Sequence, residues 1–288
     1  MNASGTVIAA HGRQYRVELD GGKILGCFTR GKKSELACGD RVSVRYSDGD
    51  QGVIETIASR RSLLYRSNAF REKLIAANVS QIIIVVATEP SFSDELVTRC
   101  LVAAESQNLR ALIVLNKCDL TDRVPAAEAA LAPFARIGYP LLKLSAWADA
   151  SALRPFLSGQ TSVLVGQSGM GKSTLINALL PGVQAATREI STALDTGKHT
   201  TTHATLYRLD AQSALIDSPG LQAFGLHHLA PEAIERAFPE LRPFLGQCRF
   251  RDCRHAREPD CAVRAALTRG ELDARRYAAF QRLLSETG

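Results

Sequence analysis

Apolar positions in the first 58 residues come in short alternating runs. "TVIAAHGRQYRVEL", "KILGCFTR", "DRVSVRYS" and "QGVIETI" are separated by "DGG", "ACG" and "SDGD". Period-two alternation broken by Gly and Asp turns predicts half-buried strands. Five short strands in so few residues predict a small closed barrel of the OB type, and an SH3-like barrel would give much the same pattern. Such barrels bind nucleic acid in many proteins and act as docking spacers in others.

The texture then changes. "SRRSLLYRS" (Ser59–Ser67) reads as a basic connector. Beyond it, all-apolar runs alternate with longer helical stretches. "VSQIIIVVAT", "RALIVLNK", "PLLKLSA" and "TSVLVGQ" read as strands, while "DELVTRCLVAAESQ", "AAEAALAPFARI" and "KSTLINALL" read as helices. This alternation predicts a parallel sheet covered on both faces. "THATLYRLDAQSALIDSPG" predicts an antiparallel edge hairpin. From about Pro231 the pattern becomes helical and Pro-interrupted, ending in two helices broken near Gly270. The expected fold is therefore multidomain: an OB-type β-barrel (1–58), a central α/β domain (59–228) and a mostly helical C-terminal unit (229–288).

Composition narrows the setting. The longest apolar run, "IIIVVA" (Ile82–Ala87), suits a buried strand and is far too short to span a membrane. The N-terminus has no basic patch followed by a long apolar stretch, so no signal peptide and a cytoplasmic protein are expected. Seven cysteines, an odd number, argue against a disulfide framework. The net charge is +6: residues 1–70 carry +4, residues 248–288 carry +3, and the stretch between carries −1. Most of the basic residues are Arg, which suits phosphate forks and base stacking, although a mildly basic solvated surface would look the same.

The chemistry lies in the central domain. "GQSGMGKS" fits G-x-x-x-x-G-K-[ST], with a strand before it and a helix after it. Gly166, Gly169 and Gly171 allow backbone N–H groups to turn toward anionic oxygens, with Gln167, Ser168, Met170 and Thr174 completing the loop. Lys172 is placed for the terminal phosphates and Ser173 for Mg²⁺. "ALIDSPG" ends a strand in Asp217, a position suited to Mg²⁺, and Gly220 can present its N–H to a γ-phosphate. Between them, "GKHTTTH" (Gly197–His203) has the character of a switch segment. Of its three adjacent threonines, Thr201 is the favoured Mg²⁺ ligand.

"NKCD" sits at the C-terminal end of a predicted parallel strand, the edge where open α/β sheets bind nucleotides. Guanine offers two donors, N1–H and N2–H₂, that match one carboxylate. Asp119 supplies it, Asn116 contacts the base edge or ties the loop together, and the Lys117 stem covers the base. "LSA" after the next strand adds Ser145 and Ala146, whose backbone N–H is expected to meet guanine O6. Adenine lacks the donor pair and would leave Asp119 unpaired, so GTP and GDP are expected rather than ATP. An ATP-dependent enzyme would require Asp119 to play no part in nucleotide choice.

The base reader precedes the phosphate loop by about fifty residues, the reverse of the usual order. If the sheet keeps its usual spatial arrangement, the domain is circularly permuted. Near the end, "CRFRDCRHAREPDC" gives C-x₄-C-x-H-x₅-C. The thiolates of Cys248, Cys253 and Cys261 with the imidazole of His255 suit one tetrahedral, structural Zn²⁺. The interleaved Arg249, Arg251, Arg254 and Arg257 fit an RNA-backbone contact or a solvated face. His227 and His228 read as linker residues.

Together, "IAANVSQIIIV", "NKCD", "GQSGMGKST", "GKHTTT", "DSPG" and the cysteine cluster resemble the RsgA (YjeQ) family over nearly the whole chain. These are circularly permuted bacterial GTPases that depend on the small ribosomal subunit. The resemblance implies an OB barrel, a permuted GTPase domain and a C-terminal zinc domain. It also implies GTP hydrolysis during late small-subunit maturation and rRNA binding; a monomer without membrane association is expected. Many GTPases place a water-orienting Gln directly after the second switch Gly. Here that position is Leu221, with Gln222 one residue late. Slow intrinsic hydrolysis is expected, with His199 as the candidate for positioning water beside the catalytic Lys172 and Thr201. The competing reading is a non-ribosomal RNA-binding protein whose GTP-binding domain is regulatory or structural.

Overall fold

In the computed structural model, residues 1–11, 14–30, 36–47, 49–68, 71–181, 204–218 and 225–286 are described. Strands β1 (Asn2–His11), β2 (Gln14–Leu19), β3 (Ile24–Thr29), β4 (Arg41–Tyr46) and β5 (Gln51–Ile57) follow the predicted alternation. Their inward set, including Val7, Tyr15, Val17, Leu25, Cys27, Val42, Val44 and Ile54, is buried as one core. The pairing runs β1–β2–β3–β5–β4 and back to β1, with β3 parallel to β5 and the rest antiparallel. This closure removes free edges and is OB-type rather than SH3-like. A bulge between Val7 and Ala9 bends β1, and Ala9 then pairs with Thr205 of the central sheet.

The segment read as a connector is only partly one. Arg60 donates from Nε and Nη2 to the fully buried Asp40 at 2.7 and 2.8 Å, and Ala37 N–H adds a third bond at 2.7 Å. A buried carboxylate so fully paired holds the barrel to the stretch beyond β5. Then β6 (Leu63–Asn68) and β7 (Arg71–Ala77) form a two-stranded antiparallel sheet, which corrects the connector reading. Basic residues hid a short buried run at Leu64. The Gln107 side chain completes the hairpin edge, accepting from Leu63 N and donating to Leu63 O at 2.8 and 2.9 Å.

Six strands form the central sheet in the order β10–β9–β8–β11–β13–β12. They are β8 (Gln81–Ala87), β9 (Arg110–Asn116), β10 (Leu141–Lys143), β11 (Thr161–Val165), β12 (Thr205–Arg208) and β13 (Ala214–Asp217). All pairings are parallel except β12 with β13. The expected hairpin is present, but its outer strand is not a free edge because it meets β1. Helices α1 (Asp94–Ser106), α2 (Val124–Arg136), α3 (Arg154–Leu157) and α4 (Lys172–Leu179) connect the strands. The short α3 has no counterpart in the sequence pattern. Chain order runs outward from β8 to β10 and then returns to β11 on the other side of β8. The carboxyl ends of β8 and β11 therefore flank the switch point, where open sheets bind ligands.

The C-terminal unit holds α5 (Pro231–Arg236), a 3₁₀ turn (Pro239–Phe244), α6 (Ala262–Thr268) and α7 (Ala274–Glu286). Its core is continuous with that of α1 and α2. Arg276 of α7 is buried between them, donating to Glu240 at 2.8 Å and Thr98 Oγ1 at 3.0 Å. Its guanidinium lies 4.6 Å from the Phe238 ring centroid and 5.3 Å from that of Phe134. Arg136–Asp273 and Arg275–Asp94 pairs, each 3.1 Å, frame this contact at the surface. Among the described residues, no helix is long and apolar enough to cross a membrane.

Arg276→Ala leaves Glu240 buried without its cation and strips the ring contacts. Urea unfolding is expected to show a loss of about 3–5 kcal/mol. Arg249→Ala, which breaks an exposed pair with Asp260, is expected to stay within about 0.5 kcal/mol. Equal effects from the two variants would contradict a structural role for the buried arginine.

Candidate functional site

Among the described residues, the loops after β8, β9, β10 and β11 meet at the carboxyl edge of the central sheet, beside the end of β13. The loop after β11 must turn sharply beside β8. Gly166 has φ 151°, and a Cβ there would lie 2.2 Å from Val85 O. Gly171, at φ 88°, caps α4, and a Cβ there would sit 2.3 Å from Asn116 Nδ2. No other residue fits either position without displacing backbone or the Asn116 amide. Gln167 Oε1 accepts from Ser93 N at 2.8 Å, tying the loop to the start of α1.

Lys172 opens α4 and is buried, donating from Nζ to Gly166 O at 2.7 Å and Gln167 O at 2.9 Å. Burial lowers its pKa, and Asp217 opposes that shift. Asp217, 6% exposed at the end of β13, has its carboxyl pushed up to about 6 by burial, with Lys172 pulling the other way. Ser218 Oγ anchors the next residue to Leu164 O at 2.5 Å. Ser168, Gly169 and Ser173 are exposed, Thr174 is half-buried and Met170 is buried. A lysine and a carboxylate, both disfavoured as ions by burial, thus flank a Gly-rich helix N-terminus. That donor set fits a phosphate chain with its cation. Thr201, His199 and Gly220 lie outside the described residues, as do Leu221 and Gln222.

Asn116 ends β9 and is 2% exposed. Its Nδ2 donates to Met170 O at 3.0 Å, and its Oδ1 accepts from Ala146 N at 2.9 Å. Of the two roles expected for Asn116, the geometry favours tying the loops together. Ala146, expected to meet guanine O6, donates its N–H to Asn116 in this structure. Ser145 Oγ donates to Asp119 Oδ1 at 2.5 Å and fixes the carboxylate that would read guanine. Lys117 adopts φ 61° and donates from Nζ to Glu89 O at 2.8 Å, while Thr88 Oγ1 donates to Lys117 O at 3.0 Å. The contributions of Thr88, Glu89 and Ser93 had no sequence signature, because each acts through a backbone group or a single hydroxyl.

The second cluster is compact. The ligand atoms of Cys248, Cys253, His255 and Cys261 lie within 4.8 Å of one another. Cys248 Sγ is 3.4 Å from His255 Nδ1 and 3.8 Å from Cys261 Sγ, and His255 Nδ1 is 3.3 Å from Cys261 Sγ. These spacings suit a tetrahedron with Zn–S near 2.3 Å and Zn–N near 2.0 Å. The far side of the imidazole supports this: His255 Nε2 faces Glu235 Oε1 at 3.6 Å, leaving Nδ1 for the metal. His255 O accepts from Tyr277 OH at 2.5 Å and from Gln281 at 3.1 Å, locking the loop to α7. His228 instead packs on Tyr65, ring centroids 4.7 Å apart.

The comparisons agree with this geometry. The RsgA GTPase family model matches residues 57–227. A small ribosomal subunit biogenesis GTPase RsgA of Ralstonia pickettii (strain 12J) is 53% identical over 291 residues, spanning 98% of this chain and 92% of that protein. The protein of the same name from Burkholderia pseudomallei (strain K96243) is 54% identical over 289 residues, spanning 99% and 92%. Among solved structures, YjeQ from Thermotoga maritima superposes with a TM-score of 0.75 at 30% identity, covering 100% of this chain and 99% of that one. YloQ, described as a circularly permuted GTPase, gives 0.71 at 27% identity, covering 100% and 95%. With its base reader preceding its phosphate loop on one sheet edge, and relatives matching from barrel to cysteine cluster, this chain belongs to the RsgA GTPase family.

Proposed function

We propose that this GTPase acts on the small ribosomal subunit late in its maturation, as a cytoplasmic monomer that contacts rRNA. The observation that carries this reading is the convergence of the base-reading loop, the phosphate loop and Asp217 on one sheet edge. An OB-type barrel precedes the central domain and a Cys₃His unit follows it in the chain. The proposed units are 1–58, 59–228 and 229–288. Basic excess lies toward the two ends of the chain, +4 over residues 1–70 and +3 over residues 248–288, which suits a grip on an RNA backbone.

The reaction is GTP plus water to GDP plus phosphate. Asp119, oriented by Ser145, accepts from the guanine N1–H and N2–H₂. Lys172 and the loop N–H groups of Gly166 to Thr174 bind the phosphates, with Gly220 at the γ position. Ser173, Thr201 and Asp217 hold Mg²⁺, which when bound neutralises charge on the transferring phosphoryl group. His199 positions the attacking water, a role that Leu221 leaves unfilled at the usual place. The Zn²⁺ is structural, since four protein ligands close its coordination shell.

The experiment is multiple-turnover GTP hydrolysis with and without purified subunits. Small subunits are expected to raise turnover at least about tenfold, within the gain of up to about 10⁵-fold seen when a partner completes a GTPase site. Large subunits and excess ATP are expected to change nothing. Turnover indifferent to small subunits would refute the ribosomal reading.

Asp217 yields a pH-dependent expectation in the nucleotide-free, Mg²⁺-free protein. Its folded pKa of about 6 lies above the ordinary value of about 3.9. The folded state therefore holds the proton more tightly. Stability falls as pH rises from about 4 to 6 and stays lower above that window. Asp217→Asn is expected to raise unfolding stability by about 1–3 kcal/mol at pH 7.5 and by nothing near pH 4. A gain independent of pH would show that the buried charge is not the cause.

A further inference from the structure

Trp147 is the chain's single tryptophan, and it is 87% exposed. An indole this exposed leaves a large apolar surface in water, and it directly follows the Ser145–Ala146 base clamp. Its backbone is not loose. Ser145 O accepts from both Ala148 N (3.1 Å) and Asp149 N (2.8 Å), closing a tight turn with Trp147 inside it. Asp149 then anchors the far side by accepting from Ser151 N at 2.7 Å and Ser151 Oγ at 2.6 Å. The near side is held through Ser145 to Asp119 and through Ala146 to Asn116. A rigid turn therefore presents an unpacked aromatic two residues from Ser145, which orients the base-reading Asp119.

Among the described residues, the other loops of this edge offer no such surface. Residues 88–93, 117–123 and 166–171 contain one aromatic, Phe92, and it packs against the two cores beneath the sheet. Lys117, drawn to Glu89 O, can line one face of a base with its stem. The opposite face has no comparable lining from these loops.

We infer that Trp147 is a nucleotide-binding residue that stacks on the guanine face opposite the Lys117 stem. It is a specificity-neutral contact: Asp119 selects guanine at the edge, while the indole adds affinity for any purine that enters. This inference rests on the guanine-nucleotide reading of the same edge.

Because the chain has one tryptophan, its emission reports this residue alone. Titrating the full-length protein with GDP and Mg²⁺ is expected to quench or shift that emission to saturation. Calorimetry is expected to show Trp147→Ala weakening GDP binding about 5- to 150-fold, the range for losing one base–aromatic stack, with Trp147→Phe retaining most of the affinity. Wild-type GDP binding with no emission change, or wild-type affinity in Trp147→Ala, overturns the inference. So does a Trp147→Ala variant that binds GDP normally but loses stimulation by small subunits, which would assign the indole to a partner surface. Failure of the wild-type protein to bind GDP at all overturns the guanine reading itself, and the stack with it.

Discussion

One buried amide holds this site together. Asn116 bonds the phosphate loop through Met170 O and the base clamp through Ala146 N, segments 54 and 30 residues away in sequence. Both contacts are out of water, so leaving either group unpaired would cost about 1–3 kcal/mol. The amide also dictates its neighbour, because only glycine at position 171 leaves room for Nδ2. Base recognition and phosphate recognition are therefore one mechanical unit, although the chain visits them in reversed order.

That reversal has structural consequences. With the chain entering at β8 and leaving after β13, the barrel and the C-terminal unit attach where an unpermuted domain would be continuous. The barrel is fixed by the Asp40–Arg60 pair and by the meeting of Ala9 with Thr205. The C-terminal unit is fixed by Arg276 and the aromatic rings around it. Segment 225–228, directly after the second switch motif, touches the β6–β7 hairpin through Gly225 N to Tyr65 O (3.3 Å) and through the rings of His228 and Tyr65. Both flanking units therefore connect to the catalytic domain by packed contacts.

The elements legible in the sequence were those whose chemistry is local. "NKCD", "GQSGMGKS" and C-x₄-C-x-H-x₅-C each place their groups within one loop, and the strands before the first two are continuous apolar runs. What stayed hidden depends on distant partners. Gln107 completes the edge of a hairpin 44 residues away, so Ser59–Ser67 looked like a basic connector. Arg276 carries no mark in the sequence, because Thr98, 178 residues away, and Glu240 are brought to it only by folding. The Ala146 N–H was expected to serve the base, and its bond to Asn116 emerges only when every buried donor is matched to an acceptor.

The central claim is that Asn116 makes the base reader and the phosphate loop one unit. Amide hydrogen exchange of nucleotide-free Asn116→Ala, compared with wild type, tests it most directly. Faster exchange is predicted at both 144–149 and 166–172, by up to about 10- to 100-fold if about 1–3 kcal/mol of local stability is lost. A change confined to residues 116–119, with the phosphate loop as protected as in the wild type, would contradict it.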